Sequence, residues 1–265
     1  MRLICQKSLP LSPWESEVTA RLPGIQPLRT EELFLQDDAF ADQMEYRDEL
    51  ILKNRPKVFQ LNDVAKSATQ ELLDFVVAKL NQNRNYKVGG SKITRPDGKT
   101  LSTDDDNPLV IAGRLVQEDL LVLQWDSELN EHVLDGGVLC FPALWTLEEK
   151  MSKPMSRIHQ PVEHYTEKIS NIVQRMFNNL KVDTPLWRAN WYLYNDPELF
   201  SPQKEEFSQT TRKSFFEGDF WVRVERQTLF RLPKSDAIVF GIHTYVVGRS
   251  ELTSAQVKSL KKVEF

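Results

Sequence analysis

The chain has 265 residues, a formal net charge of −4 and a sequence pI near 5.7. Its length suits one large domain or two small ones, and its acidic balance excludes the basic footprint of a nucleic-acid-binding protein. Two cysteines, Cys5 and Cys140, cannot build a disulfide framework, and no apolar run approaches the roughly 20 residues of a membrane span, so we expect a cytoplasmic protein with no membrane partner.

The first part of the chain predicts an irregular segment followed by a helix. Residues 1–60 are punctuated by prolines and carry singly spaced apolar residues, which is typical of a segment that wraps over a core. Apolar residues at helical spacing then predict a helix over 64–81, with Asp63 as its N-cap. The polar, turn-rich residues 86–107 predict a loop. We therefore expect an N-terminal wrap over 1–60 and a single domain over 61–265.

The rest of the chain alternates strand and helix patterns. Apolar runs predict strands over 120–125, 133–141 and 187–194, and a hairpin of 220–227 with 237–247. Helical spacing predicts a helix from about 161 to 180 and a short terminal helix capped by Thr253 or Ser254. The polar residues 195–214 predict an exposed excursion. These elements predict an α+β domain in which helices flank an antiparallel sheet.

His159 is the first candidate functional residue. It stands two residues before Pro161, and Pro161 suits the first turn of the predicted helix, so the imidazole should be held in a fixed direction at a helix entrance. A neutral imidazole is a common metal ligand, yet a lone histidine is more often a capping or packing residue. Residue chemistry alone leaves both interpretations open and favours the second.

The histidine and cysteine content limits which metal centres are possible. The chain has four histidines, His132, His159, His164 and His243, and no cysteine pair with zinc spacing. A cofactor that needs one protein ligand fits this content better than a multi-histidine centre, and haem is the obvious example. Cys140 is the other possible axial ligand, but a thiol in an apolar strand usually serves packing.

A polar strand forms the second candidate site. Strict alternation places Arg223 and Glu225 on one face with Gln227, and turns Arg226 to the other. Arg188 and Asn190 form a similar polar pair among aromatic residues. Each set is compatible with a solvated surface or with the wall of a polar cavity, and the sequence does not decide between them.

Four motifs, in order and at these separations, carry a resemblance to a known family: GGVLCFPALWTLEEK, RIHQPV, WRANW and RVERQTLFRLP. Together they resemble the haem-dependent oxidative N-demethylases from roughly Tyr46 to the C-terminus. The sequence departs from the family's pattern at Ser152, where Gly is expected, and at Glu163, where Pro is expected.

The resemblance implies a PAS-like α+β haem-binding subunit that oxidises a small alkylamine such as dimethylamine with O2 and releases formaldehyde. It implies haem b with His159 as the axial ligand. Arg223, Glu225 and Arg226 match the family's polar strand, and some of them are expected at the oxygen-binding side, with Glu225 serving the amine. Arg188 and Asn190 are expected to contact the cofactor. No segment resembles a site for NADPH, FMN or an iron–sulfur cluster, so a partner reductase subunit should supply electrons.

Two other functions remain open from the sequence. PAS-like folds often bind ligands without catalysis, so a haem or small-ligand sensor is the main alternative. The third is an interaction module without a cofactor.

Overall fold

The computed structural model describes residues 3–20, 23–160, 167–205 and 218–263. Seven of the described strands form one antiparallel sheet in the order β1-β8-β9-β10-β6-β7-β2. Its strands are β1 (Gln26–Pro27), β2 (Phe59–Leu61), β6 (Asp119–Asp126), β7 (Glu131–Val138), β8 (Leu186–Tyr194), β9 (Trp221–Arg231) and β10 (Ile238–Gly248). A second, small sheet contains β3 (Lys87–Gly89), β4 (Lys92–Thr94) and β5 (Thr100–Ser102).

Helices cover both faces of the large sheet. They are α1 (Phe40–Lys53), α2 (Arg55–Val58), α3 (Lys66–Leu80), α4 (Pro108–Leu115), α5 (Leu147–Lys150), α6 (Met155–Ile158), α7 (Glu167–Asn179) and α8 (Ser254–Leu260). The predicted α+β class with helices flanking an antiparallel sheet is therefore confirmed. Among the described residues, no helix combines the length and the apolar character needed to cross a membrane.

The main core lies between the sheet and helices α1, α3 and α4. Fully buried aliphatic residues from α3 and α4, such as Leu72, Val76 and Ile111, share one apolar cluster with Val122 and Val239 of the sheet. A second cluster on the opposite face joins α5, α6 and α7 to β6, β7, β9 and β10. The central strands of the sheet are thus buried on both faces.

The hairpin of β9 and β10 is the longest pairing and runs without a register shift from Trp221–Gly248 to Arg231–Ile238. The predicted hairpin and strands are confirmed, and the continuous register keeps Arg223 and Glu225 on one face while Arg226 lies on the other. The terminal helix also forms as predicted, because Thr253 caps it in a capping box with Gln256.

Beyond Ile242, β10 stays paired with β9 on one edge but no longer has β6 on the other, and residues outside the sheet satisfy that second edge. The side-chain Oε1 of Gln6 accepts a hydrogen bond from the Val246 N–H at 2.7 Å, and the main-chain N–H of Gln6 donates to the Val246 carbonyl at 3.0 Å. Gln43 of α1 donates to the Thr244 carbonyl at 3.1 Å. These contacts satisfy main-chain groups that would otherwise be left at an open strand edge.

A buried charged cluster ties the N-terminal segment to β10. The imidazole of His243 lies between Glu118, 3.0 Å from Nδ1, and Asp37, 3.1 Å from Nε2. Gln6 and Gln117 donate to the same Asp37 carboxylate at 2.8 and 2.7 Å. Burial alone lowers the pKa of His243, but its two carboxylate partners outweigh burial and raise the pKa to about 9. The histidine is therefore a buried cation at neutral pH.

Several predictions for the first half of the chain are wrong. Residues 40–53 are not irregular but form α1, which buries Met44 and Arg47 completely. Residues 86–107 contain the small sheet, and the apolar stretch after Asn107 is the buried helix α4. The helix predicted over 64–81 is confirmed as α3, although Asp63 is not its cap and instead pairs with Lys66 at 2.7 Å.

The helix predicted from about 161 is confirmed from Glu167, as α7. Its proposed first turn, with Pro161, His164 and Glu163, lies outside the described residues. Arg231 of β9 holds the last turn of α7, donating to the Leu180 carbonyl at 2.6 Å and to the Phe177 carbonyl at 2.5 Å.

Ser152 adopts a φ of +57°, in the left-handed region that favours glycine. The expected family glycine at this position therefore has a conformational reason. Ser152 is held by its N–H, which donates to the Leu134 carbonyl at 2.8 Å, and by its hydroxyl, which accepts from Asn62 at 2.9 Å.

Candidate functional site

One face of β8 and β9 carries a continuous set of polar side chains, which we call the polar face. The register places Asn190 opposite Glu225, and the same face of β8 continues along every second residue. The members are Arg188, Asn190, Tyr192 and Tyr194 on β8, and Arg223, Glu225 and Gln227 on β9. The three β9 members are buried, so the solvated-surface interpretation of this strand is wrong.

The polar face is joined by a chain of side-chain hydrogen bonds. Arg188 donates to Asn190 Oδ1 at 2.6 Å and to Gln227 Oε1 at 3.3 Å. Gln227 Nε2 donates to Glu225 Oε2 at 3.2 Å, and Arg223 donates to Glu225 Oε1 at 3.4 Å. The structure thus brings together four predicted site residues, with Gln227 as the link between the two arginines.

Arg223 is held at the end of this chain by main-chain carbonyls. One of its terminal nitrogens donates to the Leu199 carbonyl at 3.1 Å and the other to the Phe141 carbonyl. Leu199 is itself buried, so the prediction that residues 195–214 form an exposed excursion is wrong at this position, and residues 206–214 lie outside the described residues.

Burial shifts the ionisation of the polar face. Desolvation raises the pKa of Glu225, although the Arg223 charge and the Gln227 hydrogen bond oppose that shift. Desolvation also lowers the pKa of Arg188 and raises that of Tyr192 to about 12. Glu225 is therefore a carboxyl group that takes up a proton more readily than an exposed glutamate.

Several buried polar atoms on or beside this face have no hydrogen-bond partner within the part of the chain that the structure describes. They are Nε of Arg188, Nε of Arg223, the hydroxyl of Tyr194 and the hydroxyl of Thr244. Thr244 lies on β10, directly opposite Glu225 of β9. Buried polar groups are nearly always satisfied in native proteins. Four of the ten such atoms in the described residues lie here, where water or a ligand can supply the missing partners.

His159 follows directly on the last residue of α6. Its N–H donates to the Met155 carbonyl at 3.2 Å, and its ring Nδ1 lies 3.0 Å from the same oxygen. Because a carbonyl can only accept, this contact places the ring proton on Nδ1 and the lone pair on Nε2. Metal-binding histidines use the same arrangement to fix tautomer and orientation.

His159 lies on the same side of the sheet as the polar face. Its neighbour Ile158 packs against the apolar cluster that contains Leu229 and Ile242, whose side chains continue the polar face along β9 and β10. Burial lowers the pKa of His159, and the charges of Arg188 and Lys150 lower it further. The imidazole is therefore neutral at pH 7, which is the form that binds a metal.

The remaining candidates are not brought to this site. Arg226 lies on the opposite face, donates to the Glu32 carbonyl at 2.7 Å and stacks over Trp187. Cys140 is fully buried, and desolvation raises the pKa of its thiol to about 12, which keeps it protonated and a poor ligand.

Sequence reasoning passed over Tyr192, Tyr194 and the linking role of Gln227. The two-residue alternation of β9 applies equally to β8, and it places both tyrosines on the same face as Arg188. A crevice of about 170 Å³ opens along this strand, lined by Thr19, Ala20 and the strand residues from Arg188 to Tyr192. It is smaller than the roughly 300–1,000 Å³ of ordinary ligand pockets.

The donor set fits a haem group. A haem iron needs as little as one protein ligand, and its carboxylates suit partly satisfied arginines such as Arg188. His159 offers a neutral ring of fixed tautomer on the same side of the sheet. Among the described residues there is no cluster of three or more His, Cys, Asp or Glu side chains that could hold a metal ion, and a single-ligand iron does not require one.

The fold and site therefore define an α+β protein with a buried, charged face on its sheet and a neutral histidine on the same side of that sheet. A family model described as haem-dependent oxidative N-demethylase, alpha subunit-like, matches residues 24–263. The chain belongs to this family, as the four motifs predicted, and the match begins earlier than Tyr46. The family description indicates a haem-dependent enzyme of the oxidative N-demethylase type and one subunit of a larger assembly.

Proposed function

We propose that the protein is the haem-binding subunit of an oxidative N-demethylase that acts on a small alkylamine, such as dimethylamine, with O2 and releases formaldehyde. The observation that carries the proposal is the buried hydrogen-bonded polar face, in a chain whose family is haem-dependent. We also propose that the fold is PAS-like and that the protein is cytoplasmic. We propose as well that residues 61–265 form the haem-binding domain, with residues 1–60 wrapping it and contributing α1 to its core.

His159 would hold the iron, and Arg188 with Asn190 would contact the haem b carboxylates. Bound haem would supply the activation of dioxygen, and a reductase subunit carrying NADPH, FMN and an iron–sulfur site would supply electrons. Arg223 contributes a permanent positive charge that favours developing negative charge on oxygen. Its oxygen role is compatible with the two carbonyls that fix its position. Arg226 has no part in this scheme, because it lies on the other face.

Glu225 would bind the amine and carry its proton. As a carboxylate it attracts an ammonium group, and its raised pKa lets it accept the proton that the amine must release before oxidation. Hydroxylation of an N-methyl carbon then gives a carbinolamine, which breaks its C–N bond to yield formaldehyde and the smaller amine.

The proposal is tested with the purified full-length chain reconstituted with haem. A Soret band should appear in the wild type, and His159→Ala should lose it, whereas the control His132→Gln should keep it. Absence of haem binding in the wild type would refute the proposal. A normal haem spectrum in His159→Ala would show that another residue is the iron ligand.

The second test concerns Glu225. Glu225→Gln should retain haem but lose amine-dependent formaldehyde release when a reductant is supplied, while the control Glu128→Gln, on an exposed turn, should be unaffected. Because the pKa of Glu225 is raised, wild-type turnover should increase as the pH rises through that pKa. Full turnover in the variant across this range would show that Glu225 is structural.

A further inference from the structure

Lys150 is the one lysine that is buried in the described part of the chain, with 6% of its surface exposed. Lysines are almost never fully buried unless their charge is paired, because removing an ammonium group from water is costly. Lys150 ends the short helix α5 and does not belong to the polar face. Its burial therefore calls for a specific role.

The ammonium group of Lys150 makes two short contacts. Nζ donates to the Ile158 carbonyl at 2.9 Å and to Glu205 Oε1 at 2.6 Å. Arg157 holds the other carboxylate oxygen of the same Glu205 at 3.2 Å. Hydrogen bonding from Lys150 lowers the pKa of Glu205, so the carboxylate is charged at neutral pH. The two cations and the carboxylate form a clasp around the last turn of α6.

The clasp acts on the residue that precedes His159. The Ile158 carbonyl belongs to the peptide unit whose N–H is that of His159, so a contact to this oxygen restrains the backbone of the imidazole itself. A four-residue helix such as α6 has little stability of its own, because most of its main-chain groups lack intrahelical partners. Its other end is tied to β7, where the Ser156 N–H donates to Glu131 at 2.9 Å.

We propose that Lys150, held by Glu205, is a positioning residue that fixes the backbone of His159 for iron binding. The inference rests on the proposed function only in taking His159 as the ligand. Groups that orient a metal-binding histidine commonly change metal affinity by about 10–100-fold when they are removed. Since Glu205 lies after β8, the clasp also connects α6 to the segment that follows the polar face.

The test compares Lys150→Met, which keeps the length of the side chain and removes its charge, with Lys153→Met, an exposed lysine three residues later. Amide hydrogen exchange of the haem-free chain and titration with haem are measured on both, together with the wild type and His159→Ala. Lys150→Met should speed exchange at residues 158–160 and weaken haem binding by about 10–100-fold. Lys153→Met should change neither quantity.

Glu205→Gln provides a second route if Lys150→Met does not fold, because Glu205 is partly exposed and its replacement keeps a hydrogen-bond acceptor. It should produce the same two changes to a smaller degree. Unchanged exchange at residues 158–160 and unchanged haem affinity in either folded variant would overturn the clasp. If the wild type does not bind haem, the proposed function is refuted. The exchange rates at residues 158–160 would still show whether Lys150 and Glu205 restrain the backbone of His159.

Discussion

The cation buried at His243 makes a quantitative prediction about stability. Its ring nitrogens lie 3.0 and 3.1 Å from Glu118 and Asp37, and the ring is fully buried. Replacing His243 by Gln removes the charge while leaving both carboxylates in place. Removing one partner of a buried ion pair typically costs about 3–5 kcal/mol, because the remaining charge loses its compensation.

The pH dependence of this loss follows from the pKa of His243, which rises from 6.5 to about 9 on folding. At about 1.4 kcal/mol per pKa unit, the raised value stabilises the native state by about 3 kcal/mol. The stabilisation is complete below pH 6.5 and is lost as the pH rises through about 9. Between pH ~6 and ~8.5 the wild type should lose about 2 kcal/mol of unfolding free energy from this group.

Urea unfolding across that pH range measures the effect as the difference between wild type and His243→Gln, so that titrating groups away from His243 cancel. The gap should be widest at pH ~6 and shrink by about 2 kcal/mol at pH ~8.5. His132→Gln is the matched control. Burial lowers the pKa of His132 to about 4, so the stability that the neutral ring contributes is lost as the pH falls, which is the opposite direction to His243. A gap that stays constant with pH would show that His243 is not a buried cation.

Two further predictions concern packing and charge in the core. Asp119→Asn removes the carboxylate that pairs with the buried Arg47 at 2.7 Å, and should lower the unfolding free energy in urea by about 3–5 kcal/mol, whereas a change under 1 kcal/mol would contradict the pairing. Gly113→Ala brings a methyl group to 2.8 Å from Val138, and should cost about 1–3 kcal/mol by thermal unfolding, while Gly89→Ala, which meets nothing within 4 Å, should stay within ~0.5 kcal/mol.

The sequence predicted those elements whose burial follows a simple period. In β9 the buried apolar residues Val222 and Val224 alternate with Arg223 and Glu225, and that local pattern correctly assigned the two faces. In α1 the inward face includes the polar residues Gln43 and Arg47, which hid the helical period. Such positions are compensated by partners more than 70 residues away, and no local pattern reveals them.

Other elements were missed because they were too uniform or too short. Helix α4 buries nearly every residue and so shows no polar face, while the strands of the small sheet have three residues each. At the candidate site, the polar character of β8 and β9 was evident, but the bonds from Gln227 to Arg188 and Glu225 depend on the register between strands. Register is set by the tertiary structure, which one strand alone does not specify.

The side-chain contacts along β10 also determine where the chain can safely be shortened. The family match begins at residue 24, yet Gln6 lies well before that point and forms both hydrogen bonds with Val246. A protein trimmed to the matched region would leave this strand with open donors and acceptors, which invite pairing with another molecule. Light scattering should show that such a protein associates in a concentration-dependent way. The residues around Gln6 would then protect the intact protein against aggregation.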